Sequence, residues 1–326
     1  MHVRFRRPLI IILVLLSSAV LVGCGSKSFA PGTGDSTLPS GQPGRGKPAV
    51  ILGDKNFTEQ YILGELYAQA LRAKGYTVHL KASIGASGTT DAQLTGGHLD
   101  LYPEYTGVIV SALANIVGAA PGADAQATGP PGSARQAFEQ AAAFEDRRGF
   151  TLLDPTPFQD ADRIAVRPAF ARAHGLRSMS DLRKLSSFTY GAPPENRTRY
   201  EGLQGMKQAY GLDQATFVAF PIGAQYRALN AAQVGTIAVF TTDGRLLHGN
   251  YTVLSDPKNI FGYQNEAPVV SKSVLSSEGP GFAQTLNAVS VKLTTQAMQH
   301  MNAEVDVEHR TPAEVAHAFL AADVLG

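Results

Sequence analysis

Four short stretches of this 326-residue chain gather the side chains that could hold a small molecule: Asp54-Lys55-Asn56, Tyr102 to Thr106, Gly191 to Arg199, and Phe240-Thr241-Thr242-Asp243. They offer rings, hydroxyls, carboxylates and cations, the equipment for noncovalent capture of a polar molecule. HLDLYPEYTGV (98–108) poses the choice most sharply. Leu99 and Leu101 alternate as in a strand that is expected to stop at Tyr102, and the run from Tyr102 to Gly107 is either turn chemistry or a ligand wall. Catalytic arrangements are missing. The eight histidines form no His-x-x-x-His or His-Glu-x-x-His pair, no Gly-x-Ser-x-Gly elbow occurs, and IGASGTT lacks the lysine of a phosphate loop. No enzyme activity, cofactor or metal is expected. An envelope hydrolase, for which no carboxylate pair stands out, and a structural lipoprotein are the readings from other classes.

Alternating elements must position these stretches. AVILGD (49–54) reads as a buried strand, and Asn56 to Glu59 has the spacing of a capping box before a helix carrying Ile62, Leu63, Leu66 and Ala70. YTVHLKA (76–82) alternates as a strand, and a glycine- and hydroxyl-rich turn leads into a short helix. The loop 116–133 precedes the helix RQAFEQAAAFEDRRG and the strand FTLLD (150–154). A second block runs through RIAVRP (163–168), a helix start at SMSDL, the strand FTYGA (188–192), the helix GLQGMKQAYG (202–211) and TIAVFTTDG (236–244). APVVSKSVL, a helix of the AQTLNAVSVKL kind and a capping box at Thr311 to Glu314 close the chain. Strand–helix alternation predicts parallel sheets with crossover helices in two α/β lobes joined by more than one crossing. Ligands of such folds sit beyond the carboxyl ends of the strands, in the crevice between lobes.

The chain opens with Arg4, Arg6 and Arg7, an apolar run from Leu9 to Val22, and Leu21-Val22-Gly23-Cys24. This is the pattern of a secretory signal, and its last four residues resemble the lipobox of bacterial lipoproteins. Cys24 is the single cysteine, which leaves no intramolecular disulfide to form. The Gly-, Ser- and Pro-rich segment up to Pro48 has too little apolar surface to offset its ordering entropy and reads as a flexible tether. About 280 residues remain, enough for one large domain or two lobes. A formal net charge of +1 with no long basic run argues against a nucleic-acid partner.

GDKNFTEQYILGEL together with LDLYPEYTG resembles the substrate-binding proteins of ABC importers for glycine betaine, choline and related osmoprotectants, whose usual wording is close to SKxFTEQ and DxYxEYTGT. PPENRTRYEGLQGMKQAYG resembles the segment carrying the family's ligand-binding arginine, here Arg199. VFTTDGR (239–245) is similar to AYxTDGR, and NEAPVV (265–270) to the strand that returns to the first lobe. The resemblance implies a type II periplasmic-binding-protein fold, with two lobes closing on a ligand in the cleft between them. It also implies an ABC permease as partner, no cofactor, a monomer, and a place on the outer face of the cytoplasmic membrane, held by a lipid. The expected division is a signal peptide over 1–23, a tether over 24–48, a first lobe from 49–156 and 254–326, and a second from 157–253.

A quaternary ammonium has no hydrogen to donate, so aromatic faces hold it, each contact contributing about 0.5–2 kcal/mol. By the resemblance Tyr105 and Phe240 fall on cage rings, Lys55 and Arg199 on cationic positions, and Asp160 on an acidic one. Asn56, Thr106 and Thr241 flank these positions and complete the expected contacts. Asp162 stands where the family usually has a tyrosine. A further cage tyrosine would fall on Gln264, with Tyr263 one place off. Val108 replaces a common threonine, and Tyr200 a common proline. Two of four expected rings are therefore absent. Either Asp160 and Asp162 attract the cation instead, or the wider polar site takes a larger neutral or aromatic hydroxylated compound.

If the mature chain begins at a lipidated Cys24, then Cys24→Ser should move the protein from the membrane fraction to the soluble fraction or block its processing. Mass spectrometry of the mature N-terminus checks this, and an unmodified Cys24 would contradict it.

Overall fold

The computed structural model describes residues 37–113, 131–248 and 250–325. The expected signal sequence, Cys24, the beginning of the tether and most of the 116–133 loop lie outside them. Ten strands follow one another among the described residues. They are β1 Ala49–Gly53, β2 Thr77–Lys81, β3 Leu101–Tyr105, β4 Phe150–Leu152, β5 Asp162–Val166, β6 Phe188–Ala192, β7 Ala215–Ala219, β8 Thr236–Phe240, β9 Thr252–Leu254 and β10 Glu266–Ser271. They form two five-stranded sheets, of order β2-β1-β3-β10-β4 and β7-β6-β8-β5-β9. The chain thus builds most of one sheet, crosses to build the whole of the other, and returns to insert β10 into the first. Each sheet has its own buried clusters, so two lobes share one chain. This is the two-lobed α/β architecture that the order of elements predicts.

The parallel expectation holds for part of each sheet. β1 pairs in parallel with β2 and β3, and β6 with β7 and β8. The strands next to the crossings run the other way: β10 is antiparallel to β3 and β4, and β5 to β8 and β9. A chain that enters a sheet directly from the neighbouring lobe has no crossover helix to turn it around. The two crossings touch each other at an antiparallel bridge between Gln159 and Asn265, and the Asp160 amide donates to the Gln264 carbonyl at 3.0 Å.

Three local expectations are revised. The strand around Leu101 does not stop at Tyr102 but runs through Pro103 to Tyr105 with every residue buried. Its register with β1 covers Leu101 alone, so beyond that point it has a partner only in β10, where Pro103 faces Pro268. A proline is tolerated where no second strand needs its missing N–H. The first helix, Thr58–Ala73, has Phe57 at its N-cap without a side-chain cap, so the Asn56–Glu59 capping box does not form. Glu59 is drawn instead to Tyr105 and Asn302. Residues 42–47, expected to be free tether, lie against the first lobe: Gly44 N donates to Lys74 O at 3.0 Å and Lys47 Nζ to Ser277 O at 2.6 Å. The box at Thr311 and Glu314 is present, with Pro312 opening the helix. SMSDL starts a 3-10 turn, with Ser178 and Asp181 as its reciprocal caps.

The helix Thr295–Asp306 of the first lobe lies on the 241–245 segment of the second. Asn302 Nδ2 donates to Thr242 O at 2.9 Å, Gln299 Nε2 to Thr241 O at 2.7 Å, and Arg245 pairs with Asp306 at 2.6 Å. Gly244 lets the backbones meet, since a Cβ there would lie 2.2 Å from the Ala303 nitrogen. Gly244→Ala should therefore cost about 1–3 kcal/mol and lower the melting temperature measured by calorimetry. Unchanged melting would show that this contact is absent in solution.

Candidate functional site

β1 and β3 of one lobe, and β6 and β8 of the other, point their carboxyl ends at the same gap. The side chains just past these ends, with residues of both crossings, line a cavity that is partly open to solvent. Lys55, Asn56, Tyr105, Asp160, Asp162, Arg199, Phe240 and Gln264 all reach this wall. The sequence separates them by almost the whole fold.

The floor is a buried ion pair. Lys55 is 3% exposed and Glu104 0%, and their side chains form a salt bridge. Lys55 Nζ also contacts Ser87 Oγ at 3.3 Å and lies 4.4 Å above the centre of the Tyr105 ring. Burial pushes the lysine below its usual range, and Glu104 opposes that shift. Glu104 also accepts the Tyr105 amide at 2.8 Å, and the Tyr105 hydroxyl donates to Glu59 at 2.7 Å and accepts from Gln60 at 3.2 Å. Ring, backbone and hydroxyl of Tyr105 are thus all held.

Phe57 stands between Tyr105 and Phe240, at 6.4 Å from each and tilted by only 26° and 18°. The result is a row of three nearly parallel rings crossing from the first lobe to the second. Another part of the wall is acidic. Asp160, 7% exposed, accepts from Thr242 Oγ1 at 2.8 Å through one oxygen, and burial together with Glu59 pushes its carboxyl well above the usual range. Asp162 accepts from Asn196 Nδ2 at 3.1 Å, and burial pushes it up to about 7, opposed by Asn196 and Arg199. Glu195 and Glu201 line the same cavity. The Arg199 guanidinium makes no hydrogen bond or salt bridge among the described residues, which leaves its fork available.

Three expected contacts do not reach the cavity wall. Thr106 is fully buried and donates to Tyr263 O at 3.1 Å. Thr241 is used by the crossing, donating to Gln159 O at 2.6 Å and accepting from Ala161 N at 3.0 Å. Tyr263 turns outward, its hydroxyl on Gly132 O at 3.1 Å. Gln264, next to it, does reach the wall and accepts the Val108 amide at 3.1 Å. Gly107 makes room for it, since a Cβ there would lie 2.4 Å from Gln264 Nε2. Sequence reasoning missed Phe57, Glu104, Ser87, Ile222 and the two glutamates. Phe57 and Glu104 lie inside the quoted FTEQ and EYTG motifs, so a signal existed for them. Ile222 carried none.

Residues 48–322 match the family described as the substrate-binding domain of the ABC-type glycine betaine transport system. The chain is 33% identical over 281 residues to the glycine-betaine-binding protein of Pseudomonas aeruginosa, covering 82% of this chain and 86% of that one. It is 29% identical over 283 residues to the glycine betaine-binding protein YehZ of Escherichia coli, covering 83% and 89%. Among solved structures, unliganded YehZ aligns with a TM-score of 0.61 at 28% identity over 84% of this chain and 98% of that one. A glycine betaine/carnitine/choline ABC transporter structure aligns at 0.66, with 24% identity over 83% and 97%.

Buried carboxyls, Asp162 of the cavity wall among them, have a consequence for stability. Asp54 and Asp162 are pushed up to about 7, and Glu145 and Glu266 to about 8, in each case first by burial. Arg199, Glu195, Glu201 and Asn196 are the groups that act on Asp162. A carboxyl that holds its proton more tightly folded than unfolded favours the folded state at low pH, and this advantage is lost as pH rises through its folded value. The melting temperature of the unliganded protein should therefore fall between about pH 5 and pH 8. Asp162→Asn should make that slope shallower. Calorimetric melting at several pH values checks both, and a melting temperature that rises over this window would contradict them.

Proposed function

This chain belongs to the family of substrate-binding domains of ABC-type glycine betaine transport systems, and from that membership we propose that it captures an amine of the glycine betaine and choline class. It acts outside the cytoplasmic membrane, delivers its ligand unchanged to the permease of an importer, and is a monomer held by a lipid on Cys24. The observation that carries the ligand class is the row Tyr105–Phe57–Phe240 beside Asp160 and Arg199. Ring faces attract a cation that cannot donate a hydrogen bond, and an arginine fork suits a carboxylate tail.

The roles depend on position. Tyr105 and Phe57 belong to the lobe of β1 and β3, whereas Phe240 and Arg199 extend from the lobe of β6 and β8. A ligand touching both sets is bound best when the lobes approach, so its binding energy favours the closed arrangement. Lys55 serves the site from beneath. Its charge is already neutralised by Glu104, so it orients the Tyr105 ring and leaves Arg199 as the cation for an anionic tail.

A titration of the soluble domain with glycine betaine, choline and their less methylated analogues tests this reading. At least one should raise the melting temperature by mass action and reduce the radius of gyration in small-angle scattering. Phe57→Ala should weaken that ligand about fivefold, the equivalent of about 1 kcal/mol. Absence of binding by the whole series would overturn the ligand class, and unchanged dimensions at saturation would overturn closure.

A further inference from the structure

We propose that Asp162 is a specificity-determining residue that makes this site prefer amines whose cationic head still carries an N–H over their fully methylated counterparts. The inference rests on the amine reading above and narrows it.

Asp160 and Asp162 both line the cavity, and each has one carboxylate oxygen without a hydrogen-bond partner among the described residues. Asp160 is more than nine-tenths buried, whereas Asp162 is partly buried. No described cation lies within salt-bridge distance of either carboxylate. Lys55 is committed to Glu104, and Arg199 shares the cavity without contacting Asp162 in an ion pair. With Glu195 and Glu201, the wall carries four carboxylates against one uncommitted cation among the described residues. A carboxylate oxygen that faces the cavity without a protein donor is open to a ligand N–H, which makes a charge-assisted hydrogen bond there.

The chemistry separates two heads that differ by one methyl group. A quaternary ammonium presents only methyl groups, which hold its charge away from an oxygen and leave the lone pairs unsatisfied. A protonated tertiary amine has nearly the same shape and offers one N–H, which makes a charge-assisted hydrogen bond. The rings cannot distinguish them strongly, because both are cations. Asp162 can. Its neighbour Asn196 holds one oxygen in place, also reaching the Tyr190 hydroxyl at 3.3 Å, so the other oxygen is presented in a fixed direction.

Calorimetric titration should use two matched pairs, glycine betaine with N,N-dimethylglycine and choline with N,N-dimethylethanolamine, on the wild type, Asp162→Asn and Asp162→Tyr. In at least one pair the wild type should bind the N–H member roughly tenfold or more tightly than its methylated partner. That preference should fall to near unity in Asp162→Asn, which keeps the shape of the side chain, and in Asp162→Tyr, which adds a ring. Equal or tighter binding of the methylated members by the wild type would overturn the selectivity and leave the amine reading intact. A preference that survives in Asp162→Asn would overturn the assignment to this residue. Equal weakening of both members in Asp162→Asn would show that Asp162 only orients Arg199, and would also overturn it. If no member of either pair binds, the amine reading itself fails and this inference fails with it.

Discussion

The site is organised around one buried contact, the ammonium of Lys55 on the carboxylate of Glu104 and over the face of Tyr105. An ion pair taken out of water is not a large source of stability, but losing one partner strands the other charge at a cost of about 3–5 kcal/mol. The pair therefore specifies geometry. β1 must end where Lys55 can turn inward, and β3 must run past Pro103 so that Glu104 faces it. Tyr105 is then fixed by Glu104, Glu59 and Gln60, and its ring becomes a rigid wall. Behind it a second network continues the charge pattern. Arg148 binds both oxygens of Asp91 at 2.7 Å and both of Glu145 at 3.1 Å, between the rings of Phe144 and Phe150.

The second constraint is the crossing between lobes. Where its two strands pass, Gln159 bridges Asn265 and Asp160 bonds to Gln264, so two cavity residues sit on the segments about which the lobes would turn. A ligand that touches Asp160 or Gln264 acts at this hinge as well as at the lobe faces. The helix Thr295–Asp306 spans the same region, with Asn302 joining Glu59 of one lobe to the Thr242 carbonyl of the other. A ligand seated on these side chains would link its contacts to the position of the lobes. This is the physical content of closure in such a protein.

Lys55, Glu104, Tyr105 and Arg199 give this cavity an ion pair at its floor, one ring and a cationic fork. Asp162 and Gln264 place polar groups where the motif resemblance led one to expect rings, and Phe57 stacks on both Tyr105 and Phe240. Gln264 spends its carbonyl on the Val108 amide, so this substitution also stabilises the turn after β3. Asp162 has one oxygen on Asn196 and the other without a partner among the described residues. The two substitutions look alike in sequence and differ in what their surroundings satisfy.

Much of the fold was legible because its signals are local. Apolar runs such as AVILG and FTYGA and the Thr311–Glu314 cap depend on neighbours along the chain, and the order of elements announced two lobes. The family motifs located Lys55, Tyr105, Arg199 and Phe240. What the sequence could not decide depends on distant partners. Pro103 reads as a breaker until β10 supplies the one neighbour the strand needs, and Glu59 reads as a cap until Tyr105 and Asn302 claim it. Thr106, Thr241 and Tyr263 carry the right chemistry at the right strand ends, yet the crossing or outer surface takes their hydrogen bonds. Which residue types stand at the strand ends follows from the order of amino acids alone. Which of them keep a free atom facing the cleft follows from the folded contacts, because hydrogen-bond satisfaction is settled by partners that no local spacing records.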